Sequence, residues 1–435
     1  MSDYMFMLES HLSADQNRVL EQVQAAAGVA GLNLFLTGGG MRDMLGGFRV
    51  RDLDFSVEGN ALKLAKTLEE QGARTVAVDE NRRCAELVFA SGVTAQVAMS
   101  RKERYAKVGA KPQVTPAAIQ EDLRGRDFTI NAMALSLNRA SRGLLLDPTN
   151  GLADLGRREM RTTHPYVFYD DPARLLRLVR LRVRLSFTVE ERTRMQFDNA
   201  RAAHVEDLIP ARALLDELRH IAAEPSPSAV MEALAQDGLL ALFSNALAGA
   251  GLNLQALARL EKAVHLVESA NIVVVAHLAP FLVALTARLA PKEKSGLFKA
   301  IELPKAEIDQ MRLVEPSARK LEQALKSARI KKPSHVYQIL AEARADDMVF
   351  LLGNSAQRVV QERIRNYLQK YLPAIQEVPP ADWGALDGQP GTPKYNRNRQ
   401  AFIAARLDAR PRKLPPPEPE PVAPPVEVVA RGRVR

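Results

Sequence analysis

The sequence predicts an α/β head, built from a small mixed sheet with helices, followed by an all-α remainder. Strand signals occur only between about residues 33 and 147. After about residue 150, apolar residues recur every three or four positions while Pro and Gly become sparse. The chain of 435 residues has room for two to four domains. We expect five segments: a head (1–148), a neck (149–215), a body (216–355), a tail (356–410) and a proline-rich end (411–435).

The strands and helices of the head follow from local patterns. The apolar run 32–36 stops at three glycines, and residues 50–57 alternate between apolar and polar, as a half-buried strand does. Asn60 can cap a helix that ends near Gly72. The runs 85–90 and 93–99 flank Ser91-Gly92 and predict a hairpin. Together these elements indicate a mixed sheet.

Composition limits the class of protein. A net charge of +9 and a pI near 9.6 favour a polyanionic partner, either nucleic acid or an anionic membrane. The single Cys84 excludes a disulfide framework and a zinc site made of cysteines. The N-terminus lacks a signal-peptide pattern, and the apolar run 272–285 is shorter than the ~20 residues that span a bilayer. We therefore expect a cytoplasmic protein without a membrane partner, whose 272–285 run is a buried helix.

The proline-rich end is a separate feature. Eight prolines lie between Pro411 and Pro425. Such a segment cannot bury a core, so we expect it to be disordered or polyproline-like.

The stretch FLTGGGMRDMLGGFRVRDLDF contains the most informative chemistry. Glycines between a strand and a helix let the backbone approach a phosphate, although the P-loop and the GxGxxG fingerprint are both absent. Asp52 and Asp54 are two residues apart on the next predicted strand, so their carboxylates share a face and can hold a hard cation. The alternative is a solvated polar face. Basic residues that could neutralise phosphate charge nearby are Arg42, Arg49, Arg51, Arg101 and Arg126.

Five motifs, in their order along the chain, resemble those of the class II tRNA nucleotidyltransferase/poly(A) polymerase family. This family is a branch of the polymerase-β-like nucleotidyltransferases. The resemblance is carried by TGGGMRD, VRDLDF, SRKERYAKVGAKPQVTPAAIQEDLRGRDFTINAMAL, LLDPTNGLADL and YDDPARLLRLVRLRVRLSF. It covers roughly residues 33–190, and LDGQPGTPKYNRNRQAFIAARLD extends it more weakly to about residue 410. It implies a polymerase-β-like head followed by helical neck, body and tail domains.

The resemblance also implies roles for particular residues. The metal carboxylates would be Asp52 and Asp54. Nucleotide-binding residues would be Gly38, Gly39, Arg42, Asp43, Arg126, Asp127, Asp170, Asp171, Arg174 and Arg177. RNA-binding residues would be Arg180, Arg184, Lys394 and Arg397. By residue pattern alone, the arginines that follow Arg174 could either bind phosphate or form a solvated helix face.

The segment that starts at Asp170 matches the family's EDxxR template, which selects CTP or ATP without a nucleic-acid template. Asp171 and Arg174 are three residues apart at a helix start, so they share a face. A carboxylate can accept from the amino group of cytosine or adenine, and arginine can donate to ring acceptors. Asp171 before Pro172 is also a good helix N-cap, so a purely structural role stays open.

We therefore expect an enzyme that adds C and/or A to tRNA 3′ ends from CTP and ATP, with two Mg²⁺ ions and release of pyrophosphate. Its macromolecular partner would be the tRNA acceptor arm; the pattern predicts no oligomeric state. Alternatives are a poly(A) polymerase, a CC-only or A-only specialist, and a catalytically weakened RNA-binding protein. Support for the last comes from Gln96, where the family commonly has a third carboxylate, and from Gly125, where it has an arginine. A dinucleotide-binding oxidoreductase is disfavoured.

Overall fold

A computed structural model describes residues 3–51, 53–270, 272 and 277–409. These residues fall into two compact units: 3–320 together with 345–356, and 321–344 together with 357–409. Asp52 and the proline-rich end lie outside the described residues. The five-segment division of the chain stays a prediction.

The head combines strands with short helices. Its strands are β1 (Asn33–Thr37), β2 (Leu53–Glu58), β3 (Arg74–Asp79), β4 (Cys84–Val88), β5 (Thr94–Met99), β6 (Arg101–Arg104), β7 (Gln113–Pro116), β8 (Ala134–Ser136) and β9 (Leu145–Leu146). Its helices are α1 (Asp3–His11), α2 (Ala14–Val29), α3 (Gly38–Leu45), α4 (Ala61–Glu70), α5 (Ile119–Arg124) and α6 (Gly151–Arg157), with a 3₁₀ turn at Thr129–Asn131.

In the described part of the head, seven strands form one mixed sheet in the order β3-β4-β5-β2-β1-β8-β9. β2 and β5 run parallel, and the other neighbours in this sheet are antiparallel. The apolar positions of β1, β2 and β5, such as Leu36, Phe55 and Val97, are buried in the core. Their alternation leaves Asp54 on the other face, in register with Gln96 of β5. The predicted mixed sheet is confirmed.

Helices dominate the rest of the described chain. They are α7 (Val167–Asp170), α8 (Arg174–Leu185), α9 (Glu191–Ala202), α10 (Ala211–Ala222), α11 (Pro227–Gln236), α12 (Leu254–Glu268), α13 (Leu278–Leu285), α14 (Pro291–Ala300), α15 (Lys305–Lys326), α16 (Pro333–Ala341), α17 (Ala345–Asn354), α18 (Arg358–Asn366), α19 (Leu372–Gln376), α20 (Pro380–Gly384) and α21 (Pro393–Asp408). The predicted all-α remainder is confirmed, except that β10 (Glu159–Met160) pairs in parallel with β11 (Thr188–Val189).

Local sequence signals explain several boundaries. The Asn60 side chain accepts the N–H of Lys63 and caps α4, as predicted. β4 and β5 form the predicted antiparallel hairpin. The glycine run differs from the expected turn, because Gly38–Gly40 already form the first turn of α3. Of the run 272–285, residues 278–285 form α13, and residues 273–276 lie outside the described part.

No helix in the described ranges is both long and apolar enough to cross a bilayer.

Candidate active site

The first feature of the site is the corner where β1 ends and α3 begins. The backbone N–H of Gly39 donates to Oδ2 of Asp54 on the neighbouring β2, at 3.1 Å. Gly38 has a φ of +66°, and a Cβ placed there would lie 3.0 Å from the same carboxylate oxygen. Glycine is therefore required at position 38 both for its backbone conformation and for the close approach of Asp54. This corner brings together three predicted site residues.

Two arginines flank the corner. The Arg126 guanidinium donates to Asp122 Oδ2 at 2.8 Å and to Ser56 Oγ at 3.0 Å, and its Nη1 is 3.4 Å from the position a Gly38 Cβ would take. Arg42 is almost fully buried. Burial lowers the pKa of its guanidinium, and the adjacent Asp43 carboxylate opposes that change. Both cations thus lie beside the glycine corner, and a contact of either one with a nucleotide stays a prediction.

Asn131 connects this corner to Asp127. It accepts a hydrogen bond from Arg42 Nη1 at 2.8 Å and donates to Asp127 Oδ1 at 3.0 Å. The other Asp127 oxygen accepts from Nη1 of Arg177 on α8, at 2.9 Å. Burial alone would raise the pKa of Asp127, but Arg177 and then Arg174 outweigh it and lower the pKa to about 2. Asp127 is therefore a buried anion that holds an arginine of α8.

The arginines of α8 continue these contacts through one carboxylate within α10 and one just after it. Glu217 accepts from Arg177 Nε at 3.2 Å and from Arg180 Nε at 3.0 Å, while Glu224 accepts from Arg180 Nη1 at 2.8 Å. Glu224 is also 3.7 Å from Nε of Arg184. Burial would raise the pKa of Glu217, but Arg180 and Arg177 lower it to about 2. Both carboxylates are thus buried between cations.

Arg184 closes these contacts into a ring, because its Nη2 donates to Asp43 Oδ2 at 2.5 Å and Asp43 accepts from Arg42. We call this set the arginine–carboxylate ring: Arg42, Asp43, Arg184, Glu224, Arg180, Glu217, Arg177, Asp127 and Asn131. The ring joins α3 in the head to α8 and α10. Its links are charge-assisted hydrogen bonds and one ion pair, between Arg184 and Glu224.

The predicted template segment lies just before α8. Asp171 Oδ1 accepts the N–H of Ala173 at 3.1 Å, and its Oδ2 is 3.9 Å from Nε of Arg174. Arg174 is buried, and its hydrogen bonds to the carbonyls of Val167 and Gly125 are long, at 3.5 Å each. The N-cap of α8 is Ala173, so Asp171 does not cap the helix as the alternative predicted. Its side chain instead holds the turn before α8 and faces Arg174, and the template role stays a prediction. Asp170 lies 3.7 Å from His164.

A second charged cluster borders the template segment. Glu103 on β6 accepts from Arg101 Nε at 2.7 Å and from Arg82 Nε at 3.3 Å. Burial would raise the pKa of Glu103, but Arg101 and Arg82 lower it to about 2. The Tyr105 hydroxyl also donates to Glu103, and burial together with this carboxylate raises its pKa. Asp171 acts electrostatically on both Arg82 and Tyr105, so the cluster is close to the template.

The residues predicted to bind RNA occupy two different environments. Arg180 and Arg184 are members of the ring, with 8% and 14% of their side chains exposed. Lys394 and Arg397 are exposed on α21, where Lys394 pairs with Asp387 at 2.6 Å. An RNA contact at any of these residues stays a prediction. For Arg180 and Arg184 the described contacts are with protein carboxylates.

Three residues of the ring were not predicted as site residues from the sequence: Glu217, Glu224 and Asn131. A signal for the two glutamates exists, because they are seven residues apart, as are Arg177 and Arg184. Two helices that pack side by side can match such rows of opposite charge. Asn131 has no comparable signal, since it lies in a 3₁₀ turn whose position depends on the whole head.

The donor set at the corner suits a hard cation. Asp54 offers a carboxylate, and Gln96 offers an amide oxygen beside it in register. Asp52 would add the second carboxylate but lies outside the described residues. Within the described ranges, no group of three or more His, Cys, Asp or Glu side chains is placed to hold a metal. Oxygen donors of this kind fit Mg²⁺, which is bound through one or two carboxylates together with water and phosphate.

The head has the features of the polymerase-β-like nucleotidyltransferase class. These are the mixed sheet, the glycine corner and the two arginines beside that corner. Residues 34–161 match the family described as poly A polymerase head domain. The head of this chain is therefore similar to poly A polymerase head domains, in agreement with the sequence resemblance.

Curated relatives carry tRNA-specific names. The A-adding tRNA nucleotidyltransferase of Halalkalibacterium halodurans is 39% identical over 193 residues, which are 44% of this chain and 45% of the relative. The CC-adding tRNA nucleotidyltransferase of Deinococcus radiodurans is 34% identical over 194 residues, which are 45% of this chain and 51% of the relative. Others are named multifunctional CCA protein. The aligned region thus spans about half the length of these relatives, or less.

A solved structure extends the likeness beyond the head. An apo form of a CCA-adding enzyme matches with a TM-score of 0.55 and 24% identity, covering 94% of this chain and 96% of that chain. At this identity the match concerns the fold alone. It confirms the predicted architecture of a polymerase-β-like head with a helical remainder.

Proposed function

We propose that the chain adds C and/or A nucleotides to the 3′ end of tRNA from CTP and ATP. The tRNA 3′-hydroxyl attacks the α-phosphate, the bond between the α- and β-phosphates breaks, and pyrophosphate leaves. The observation that carries this proposal is the corner in which Asp54 is held by the Gly39 N–H beside Arg126. A carboxylate next to a helix N-terminus and arginines can serve both a cation and a triphosphate.

Asp52 and Asp54 would hold Mg²⁺, in a two-ion arrangement. Bound there, the ions supply Lewis-acid stabilisation of the attacking and leaving oxygens. The chain's own groups position the nucleotide: the α3 backbone, Arg42 and Arg126 bind phosphate oxygens, and Asp127 holds Arg177. This division assigns charge neutralisation to the corner and orientation to the surrounding arginines.

Selection of the base is assigned to Asp171 and Arg174. The hydrogen bonds from the buried Arg174 to two carbonyls are long, so its N–H groups can gain from a better acceptor such as a base. The Asp171 carboxylate faces it and can accept from an amino group. Cytosine and adenine both carry an amino group and a neighbouring ring acceptor, whereas uracil and guanine present the opposite polarity.

A-only addition is the second candidate. It is favoured by the name of the 39%-identical relative, an A-adding enzyme. The same corner would then serve ATP alone, and tRNA ending in CC would be the acceptor.

The experiment that separates these functions uses three tRNAs, ending at the discriminator base, at C and at CC. Each is incubated with CTP, ATP or both in the presence of Mg²⁺, and the 3′ ends are sequenced. Addition of CCA to the first tRNA supports the complete activity, and addition of a single A to the CC end alone supports the second candidate. Long A tails would indicate a poly(A) polymerase. No incorporation into any acceptor would overturn the proposal and indicate an RNA-binding protein.

A further inference from the structure

Arg177 differs from the other ring arginines of α8 in its exposure. Its side chain is 33% exposed, compared with 8% for Arg180 and 14% for Arg184. Arg180 and Arg184 are therefore largely covered by the protein, where they pair with its carboxylates. Arg177 is the ring member of this helix that can also contact a ligand.

Two carboxylates hold Arg177 from different sides. Asp127 accepts from its Nη1 at 2.9 Å, and Glu217 accepts from its Nε at 3.2 Å. A guanidinium is planar and has five N–H donors, so fixing two of its nitrogens fixes the plane and direction of the rest. The Nη2 group takes no part in these two bonds. Its direction is thus set by the protein before a ligand arrives.

Glu217 itself is shielded from any ligand. Only 3% of its side chain is exposed, and both of its oxygens accept from arginines of α8. Its charge is stable, because Arg180 and Arg177 outweigh the effect of burial and lower its pKa to about 2. It can therefore act on a bound nucleotide only through the arginine that it holds.

We infer that Glu217 is a positioning residue that contributes to nucleotide selection by fixing the direction in which Arg177 donates. This inference rests on the proposed function, since it takes the ligand of Arg177 to be the nucleoside triphosphate. A correct nucleotide has a hydrogen-bond acceptor that meets Arg177. A misdirected Arg177 therefore weakens the binding of a correct nucleotide more than that of an incorrect one. Glu217 therefore adds, through Arg177, to the selection that Asp171 and Arg174 provide.

A purely structural Glu217 would behave differently. Loss of a stabilising ion pair lowers the amount of folded protein, which reduces the rate equally for every nucleotide. Loss of positioning raises KM for accepted nucleotides and lowers the ratio of correct to incorrect incorporation. The two roles thus separate in a KM-against-kcat comparison.

The test compares Glu217→Gln with Asp237→Asn. Asp237 is a matched control, because it is also mostly buried and pairs with an arginine of α8, Arg182 at 2.6 Å, on another face of the helix. The kinetics of CTP, ATP, UTP and GTP are measured with a tRNA acceptor. We expect E217Q to raise KM for the accepted nucleotide and to lower its preference over UTP or GTP, each by about tenfold, while kcat stays within about threefold. D237N should keep the wild-type preference.

Calorimetric binding of the same four triphosphates measures selectivity without turnover. If E217Q does not fold, Glu217→Asp retains the charge with a shorter reach and should lower the preference partially. Unchanged preference and KM in a folded variant, or an equal loss of kcat for all nucleotides, would overturn the inference. Absence of incorporation by the wild type would instead count against the proposed function, and the binding ratios would still decide the role of Glu217.

Discussion

Helices α8 and α21 both carry basic residues at helical spacing. The charges on α8 are paired inside the protein, whereas those on α21 are exposed. The α8 arginines at positions 177, 180 and 184 are bound by carboxylates from the head and from α10. On α21, Lys394 has 62% of its side chain exposed and pairs with the exposed Asp387. A row of arginines is therefore not by itself a nucleic-acid surface. What distinguishes the two is whether carboxylates pack against the row.

The largest expected effect comes from the catalytic corner. Asp54→Asn should reduce nucleotide incorporation by at least about 1,000-fold, because it removes a charge at the reacting phosphate while an amide oxygen can still accept from Gly39. Asp52→Ala should have a similar effect. Labelled CMP or AMP incorporation is the measurement, with tRNA affinity as the control. Near-wild-type incorporation by either variant would remove the assignment of the corner.

The buried character of the ring makes it sensitive to removal of one cation. Arg180→Ala leaves Glu217 and Glu224 with fewer partners in a buried site, which should lower the free energy of unfolding by about 3–5 kcal/mol. Arg397→Ala, on exposed α21, should change it by less than about 0.5 kcal/mol. Urea denaturation followed by circular dichroism measures both. Equal effects of the two substitutions would erase the contrast between the helices.

Acid should remove the stability that Glu217 contributes through the ring. The pKa of Glu217 is about 2 in the folded protein and near 4.5 in a model peptide. A lowered carboxylate pKa adds stability that is complete above the unfolded value and is lost as pH falls from about 4.5 to 2. The contribution is about 3 kcal/mol, since one pKa unit corresponds to about 1.4 kcal/mol.

Unfolding titrations between pH 7 and pH 2 measure this dependence. The wild type should lose stability more steeply below pH 4.5 than E217Q, which lacks the titrating group. Parallel curves for the two proteins would contradict the pairing of Glu217 with buried arginines.

The smallest effects are expected on α21. Arg397→Ala should weaken tRNA binding by about threefold and reduce the slope of log K against log salt by about one, and Lys394→Ala should have a smaller effect on both. Lys394 should contribute less, because Asp387 already neutralises part of its charge. Filter binding at several salt concentrations measures both slopes. Unchanged slopes in both variants would mean that α21 does not contact the RNA backbone.

Local features of the fold were predictable from the sequence. The Asn60 cap, the β4–β5 hairpin and the pairing of glycines with Asp54 depend on neighbours in sequence or on adjacent strands. The fate of Arg180 and Arg184 was not predictable in the same way, because spacing defines a helix face but not the partner that covers it. Their carboxylates are about 40 residues downstream or, for Asp43, in the head.

The arginine–carboxylate ring also bears on how such a protein can be divided. The family match ends at residue 161, whereas the ring includes residues from Arg42 to Glu224. A fragment cut at that border would retain Asp43 and Asp127 but lose Arg184 and Arg177, which pair with them. The unit recognised by sequence comparison is therefore smaller than the unit that balances its own charge. Recombination between relatives would preserve folding best when the exchanged piece extends past residue 224.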